Sequence, residues 1–487
     1  MFLMKLLNVL SRRRRESLFL LLSLMYVIVI SVVYMVGKKV PFTSAFLPII
    51  AAWSAFLVCH IVLNILDSNQ DQNILPLISV LVITGTVTIL NIAPELVMRH
   101  LISIYVGLLG FCGILLIYRF IHPEKMVKIL VSSILVLLLA TLAFGSKRGG
   151  ATSWIMFGSY GFQPSEIVKL LLILINAVLI VRMNKSFGSS EAVIHSKELK
   201  KLKDAWLISS LWAATMCLLV FQNDFGMTLV YYLTCLMMAL IATGNMRVLA
   251  TGIAVGSVAG TVSVLSFAHI TARFTAWINP WASPNGSGYQ ILQSMFTLAN
   301  GGIFGKGFSG ENAKYLPASI TDMNFAVIGE EFGFIGLVAL VLCIFLIVRR
   351  GFASASKEDN MIYSLVKAGV SAFLGIQSFI IIAGNLRILP LTGITIPFIS
   401  FGGTSMVVSM TMVGMLFISS KKGMVEDKEI LRGEHMKGSI KILNKIWAAA
   451  CVVLIIGCAY IQVYSRERLV NDVYNPRIIR SNQEAFK

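Results

Sequence analysis

The chain has 487 residues, of which 57% are hydrophobic and only 13% charged, and its mean hydropathy is +0.82. Soluble domains carry about 25% charged residues, so the composition excludes a soluble fold and calls for a polytopic membrane protein. The formal charge of +18 is not matched by any basic helix with an aromatic platform, which argues against a nucleic-acid partner and assigns the excess Lys and Arg to cytoplasmic loops.

An arginine run at residues 12–15 precedes an apolar stretch over about 17–36. That stretch exceeds the roughly 7–15 residues of a signal-peptide core, so it reads as a retained first helix with its N-terminus in the cytoplasm. Further apolar runs fall near 45–66, 74–92, 99–118, 127–144, 166–181, 205–221, 226–243, 248–268, 326–348, 363–384, 396–419 and 446–464. Each approaches the ~20 residues a bilayer requires, so the expectation is an all-α membrane protein of about thirteen spans. With the N-terminus inside, the basic segments 119–128, 182–203, 349–350 and 421–422 fall on the cytoplasmic side, as the positive-inside rule asks. The C-terminus and a large loop between about residues 269 and 325 then lie outside.

Seven cysteines sit in apolar runs without metal-ligand spacing, and the six histidines are scattered. Neither a disulfide framework nor a zinc site is indicated.

Four polar interruptions stand out. Residues 161–169, GFQPSEIVK, place Glu166 and Lys169 on one helical face; the pair reads equally as an ordinary helix start or as a functional group. Residues 222–226, QNDFG, put Asp224 at a membrane boundary, where an ionisable group points to function or to a turn between helices. Residues 271–332 form the longest interruption and hold Arg273, Lys306, Lys314, Asp322, Glu330 and Glu331. Residues 384–403 mix two prolines with several glycines; such backbone is tolerated at membrane depth where it lines a cavity, although a Pro-kinked packing helix would also suit. Lys147, Arg148, Arg273, Lys306, Lys314 and Arg387 are outward cations. Singly each is a solvated loop charge, but together they suit an anionic substrate.

In order along the chain stand QPSE with a lysine three residues on, QNDFG, NPW followed by GSGYQ, GKG, LP with TD, AVIGEE, and N-x-x-x-LPLTGI-x-x-PFIS-x-GG. This ordered set resembles the SEDS proteins, the RodA/FtsW/SpoVE group of cell-wall polymerases, over about residues 74–420. The resemblance is RodA-like, with two extra N-terminal helices. It implies a peptidoglycan glycosyltransferase of the bacterial cytoplasmic membrane that polymerises lipid II outside the bilayer. It would work with a class B penicillin-binding protein in elongation, division or sporulation. By the same resemblance, Asp322, Ser283 and Glu330 are the candidate catalytic residues. Arg148, Glu166, Lys169, Asp224, Arg273, Gln290, Lys306, Asn385, Ser400, Gly402 and Gly403 are the candidate substrate contacts. No cofactor is assigned beyond a divalent cation, Mg or Mn, as a candidate.

The chain departs from the family at Ser283, which stands where the motif carries an aspartate. A serine hydroxyl holds no negative charge at neutral pH and cannot replace a carboxylate base or metal ligand. Either another acid takes the role, Asp322 first, or the subfamily distributes it differently, or only binding survives. The intact remaining motifs favour an active enzyme. A lipid II-binding scaffold or lipid II flippase is the competing class. The expected organisation is 1–73, a cytoplasmic start and two extra helices; 74–422, the polymerase core; 423–445, a basic cytoplasmic linker; and 446–487, a span with an outside stub. That last segment resembles the membrane anchor of a class B penicillin-binding protein, so such a partner would be fused C-terminally in a longer chain.

Overall fold

Helices dominate because a backbone in hydrocarbon must satisfy its own N–H and C=O groups within the segment. The computed structural model describes residues 13–66, 70–118, 123–148, 151–158, 160–185, 194–308, 315–419 and 427–478. The first five helices are α1 (Arg14–Lys38), α2 (Phe42–Ile65), α3 (Ile74–Ile92), α4 (Val97–Ile117) and α5 (Val127–Phe144). A small antiparallel sheet of β1 (Ser146–Arg148), β2 (Ala151–Phe157) and β3 (Tyr160–Phe162) follows, paired as Ser146 with Trp154 and Ile155 with Phe162. Next come α6 (Pro164–Lys185), α7 (Ile194–Phe221), α8 (Phe225–Thr243) and α9 (Met246–Ser266).

The segment after α9 is largely helical rather than a plain loop: it holds α10 (Ala268–Ile278), the 3-10 turn Pro280–Ala282 and α11 (Tyr289–Gly301). Lys314 lies outside the described residues. The chain then crosses back and forth as α12 (Asn324–Ser356), α13 (Met361–Asn385), α14 (Gly403–Leu416) and α15 (Asp427–Ala459), with a π-turn at Tyr460–Tyr464 and the short α16 (Arg466–Val470) at the end.

Among the described residues twelve helices are long and apolar enough to cross a membrane. The run expected at 396–419 departs from this: only the 14 residues of α14 are helical. At 1.5 Å per residue they reach about 21 Å, short of a ~30 Å hydrocarbon core. Pro390, Gly393 and Pro397 keep the preceding backbone irregular, with Arg387 and Phe398 at positive φ. The described part of the 423–445 segment, from Asp427 on, is helix continuous with the final span.

α3 and α13 are the buried centre, with 89% and 94% of their apolar windows inside the protein, whereas α9 at 6% is peripheral. α14 packs most closely on α4. A side chain at Gly110 would meet Thr411 Oγ1 at 2.2 Å, and one at Gly414 would meet Ile114 at 2.5 Å; small residues let membrane helices approach this closely. α12 is a broken helix. Gly333 has φ +68°, and the carbonyls of Glu330 and Glu331 accept from the amides of Lys306 and Gly307 at 2.8 and 3.0 Å.

Candidate functional site

The breaks in the helices meet at one end of the bundle. Asp224 caps α8 by accepting from the Met227 amide at 3.2 Å. The turn before it receives the sheet, through the Thr152 amide bonded to the Gln222 carbonyl at 2.9 Å. Gln163, at the end of the sheet, donates to Asp224 Oδ2 at 3.4 Å while its own amide donates to Thr404 Oγ1 at 3.3 Å. One turn into α6, Glu166 and Lys169 face each other at 2.5 Å and are almost wholly buried. Neither Glu166 Oε2 nor Lys169 Nζ makes an aligned hydrogen bond, so charge and proximity hold the pair, with Lys169 also 5.0 Å from the centre of the Phe373 ring. Tyr231 donates to the Ser165 carbonyl beside them.

Arg273 reaches this group from α10 and donates to the Thr392 carbonyl at 3.1 Å. Asp322 arrives from the turn before α12. A methyl on Gly393 would lie 3.5 Å from Asp322 Oδ2 and 3.9 Å from Arg273 Nη2. The acid and the base therefore converge over one exposed glycine with φ +74°. Asn385 and Ser400 hold that turn: Asn385 donates to the Asp322 carbonyl at 2.9 Å and Ser400 to the Thr321 carbonyl at 2.6 Å. Gly402 and Gly403 open α14 beside the Thr395–Ser405 hydroxyl contact of 2.9 Å.

Burial pushes the Asp322 carboxyl up to about 6 from its ordinary 3.8, with a Thr321 hydrogen bond and the Arg273 charge pulling the other way. Burial also raises Asp224 to about 6; the Met227 amide, Arg273 and Gln163 oppose it, and the Glu166 charge adds to it. Of the five non-glycine residues with positive φ among those described, Asn223, Ala318, Arg387 and Phe398 lie in segments that carry this cluster. Backbone strain of this kind gathers at functional sites.

Three predicted residues stand in a second group at the same end. Glu330 accepts from Asn300, whose side-chain oxygen accepts from Lys306. Gln290 is half-buried one turn before Gln293 on α11. Arg477, from the C-terminal tail, donates to Thr297 Oγ1 at 2.8 Å and Gln293 Oε1 at 3.4 Å, and lies 5.7 Å from the centre of the Tyr315 ring. Ser283 is exposed at the end of the 3-10 turn. Neighbouring Trp281 donates to Asp472 of the tail at 3.0 Å. Arg148 belongs to β1, opposite Ala151.

Sequence reasoning missed Gln163, Thr392, Thr404 and the tail residues Gln462 and Arg477. Gln163 and Thr404 sit within or beside motifs already singled out, whereas nothing local marks Gln462 or Arg477.

The fold and this cluster define a multi-pass helical membrane protein whose acidic and basic side chains, from distant segments, gather at one end of the bundle. The family model described as "Cell cycle protein", covering FtsW, RodA and SpoVE, matches residues 72–423, and the chain belongs to that family. It is 32% identical over 271 residues to peptidoglycan glycosyltransferase RodA of Mycobacterium tuberculosis, covering 56% of this chain and 58% of that one. It is 32% identical over 300 residues to stage V sporulation protein E of Bacillus subtilis, covering 61% and 79%. The match thus spans little more than half the length of the mycobacterial relative. A solved chain from a peptidoglycan synthase complex, described as coordinating polymerization and crosslinking, superposes with a TM-score of 0.58 at 25% identity, covering 72% of this chain and 97% of that chain.

Proposed function

We propose that this chain polymerises lipid II into glycan strands at the outer face of the bacterial cytoplasmic membrane, with its N-terminus inside. The convergence of Asp322 and Arg273 over Gly393, in a member of this family, is the observation that carries the reading. A carboxyl at about 6 is ionised at neutral pH yet still basic enough to take a proton, which suits a general base. Asp322 would accept the proton of the acceptor sugar hydroxyl as its oxygen attacks the anomeric carbon of the donor. The bond to the diphosphate breaks, and the electron pair leaves with that group toward Arg273. Among the described residues no three His, Cys, Asp or Glu side chains are placed to hold a metal. A Mg or Mn ion, when bound, would supply charge neutralisation to the departing diphosphate.

Residues 446–487 would serve as a class B penicillin-binding protein-like anchor joined in cis to the core. The support is their docking: Gln462 donates to the Leu298 and Gly329 carbonyls at 3.2 and 2.9 Å, and Arg477 binds α11. Glu330 and Lys306 then support the docking surface rather than the reacting atoms.

The test is glycan-chain formation from purified lipid II by the chain with a class B penicillin-binding protein. Asp322→Ala should abolish polymer while the protein still inserts and folds. Full activity in that variant removes Asp322 from the mechanism, and lipid II binding without polymer by the wild type supports a scaffold instead.

A further inference from the structure

Three segments far apart in sequence line an open cleft of about 400 Å³ at the opposite end of the bundle. Arg14 and Arg15 come from the start of α1, Asp71–Asn73 from the turn between α2 and α3, and Arg350 and Lys357 from the end of α12. Four cations thus face one carboxylate, and that carboxylate is already engaged. Asp71 meets Arg350 at 3.4 Å and accepts from the Asn73 amide at 2.8 Å. Arg14, Arg15 and Lys357 are exposed and have no acidic partner among the described residues. The acid of the first turn does not neutralise them, because Glu16 is fully buried, 2.5 Å from both Arg13 and His60.

The walls are tied together. Arg13 donates to the Gln70 and Asp71 carbonyls at 3.2 and 3.1 Å. Gln70 Oε1 in turn accepts from Ser354 at 3.0 Å and Lys367 at 2.9 Å. The cleft is open and every residue lining it is polar or charged, and its charge selects an anion.

The neighbouring surface says which kind. Immediately after the arginines, α1 exposes Leu18, Leu21, Leu22 and Met25 at 49–57% of their area, an apolar face turned to lipid. The cations therefore lie at headgroup depth, on the side that the basic loops mark as cytoplasmic. Anionic lipids give that leaflet its negative surface potential.

We propose that this cleft binds the phosphate of an anionic phospholipid from the cytoplasmic leaflet, with the acyl chains lying along α1. Such a lipid cross-links the N-terminal helix to α12 of the family core. The proposal does not depend on the polymerase reading.

Native mass spectrometry of the full chain tests it, with phosphatidylglycerol titrated in a phosphatidylcholine background. The wild type should retain phosphatidylglycerol preferentially. Arg14→Gln/Arg350→Gln/Lys357→Gln should weaken that retention by about tenfold or more, and Arg247→Gln, an exposed cation elsewhere, should leave it unchanged. Lys357→Gln alone, at a surface position where folding is not at risk, should weaken it by a smaller factor. Equal retention in the triple variant overturns the proposal. So does displacement by inorganic phosphate at matching concentration, which would make the ligand a soluble anion.

Discussion

Replacing Lys169 by Met separates structural from functional roles at the cluster around Asp224. Lys169 and Glu166 are 1% and 3% exposed and face each other at 2.5 Å. Methionine is unbranched and close to lysine in length, so the principal loss is the charge, with its contact to the Phe373 ring. Removing one member of a buried pair strands the other, at a cost of about 3–5 kcal/mol, whereas replacing both by neutral groups is often nearly neutral. Lys169→Met should therefore lower the unfolding midpoint of the detergent-purified chain sharply, and Glu166→Gln/Lys169→Met should recover most of it. Fluorescence-detected size-exclusion after a heating series reads both. Polymer formation should stay reduced in the double variant, because Glu166 and Lys169 are candidate substrate contacts and both lose their charge. A single variant that unfolds at the wild-type midpoint would refute the reasoning, since it would mean the pair is solvated.

Polymerisation should rise with pH through about 6 as Asp322 and Asp224 ionise, and a rate independent of pH between 5 and 7 would exclude both. Stability should run the other way: these carboxyls keep protons that the unfolded chain has released above about 3.8, so ΔG of unfolding falls as pH rises from there through about 6. Chemical denaturation across that window checks the slope. Ser283→Asp should be tolerated or activating, because the site is exposed and a carboxylate there incurs little desolvation; loss of polymer in an otherwise active chain would show a site rebuilt around serine. Arg477→Ala should cost about 2–4 kcal/mol of tail docking by leaving its hydrogen-bond partners unmet and removing the cation from the Tyr315 ring. Limited proteolysis after residue 465 reads this, and unchanged cleavage rates would show the contact to be idle.

Much of the site could be read locally. The QPSE and QNDFG stretches were visible as polar interruptions, and Asp224 does begin a helix where a boundary acid was expected. Glu166 and Lys169 share a face because of their three-residue spacing, but only packing against α8 and α13 shows that the pair is sealed from water. Residues 384–403 were marked by Pro and Gly as irregular backbone. Their partner, the Ile320–Asp322 turn held by Phe401 and Ser400, could not be inferred from spacing. The break at Gly333 was missed, since the apolar run continues through it and the carbonyls it frees are satisfied by residues 306–307.

What the sequence determined alone was the number and order of the crossings, with one shortened to α14. Hydrocarbon thickness turns stretch length and polarity into helices, and each helix closes its own hydrogen bonds. Tertiary structure decided which charged groups meet. Asp322 and Arg273 share Gly393, whereas Glu330 and Lys306 meet through Asn300 instead. That partition depends on how helix ends, some of them more than 100 residues apart, are set against one another by side-chain packing, and no local pattern encodes it.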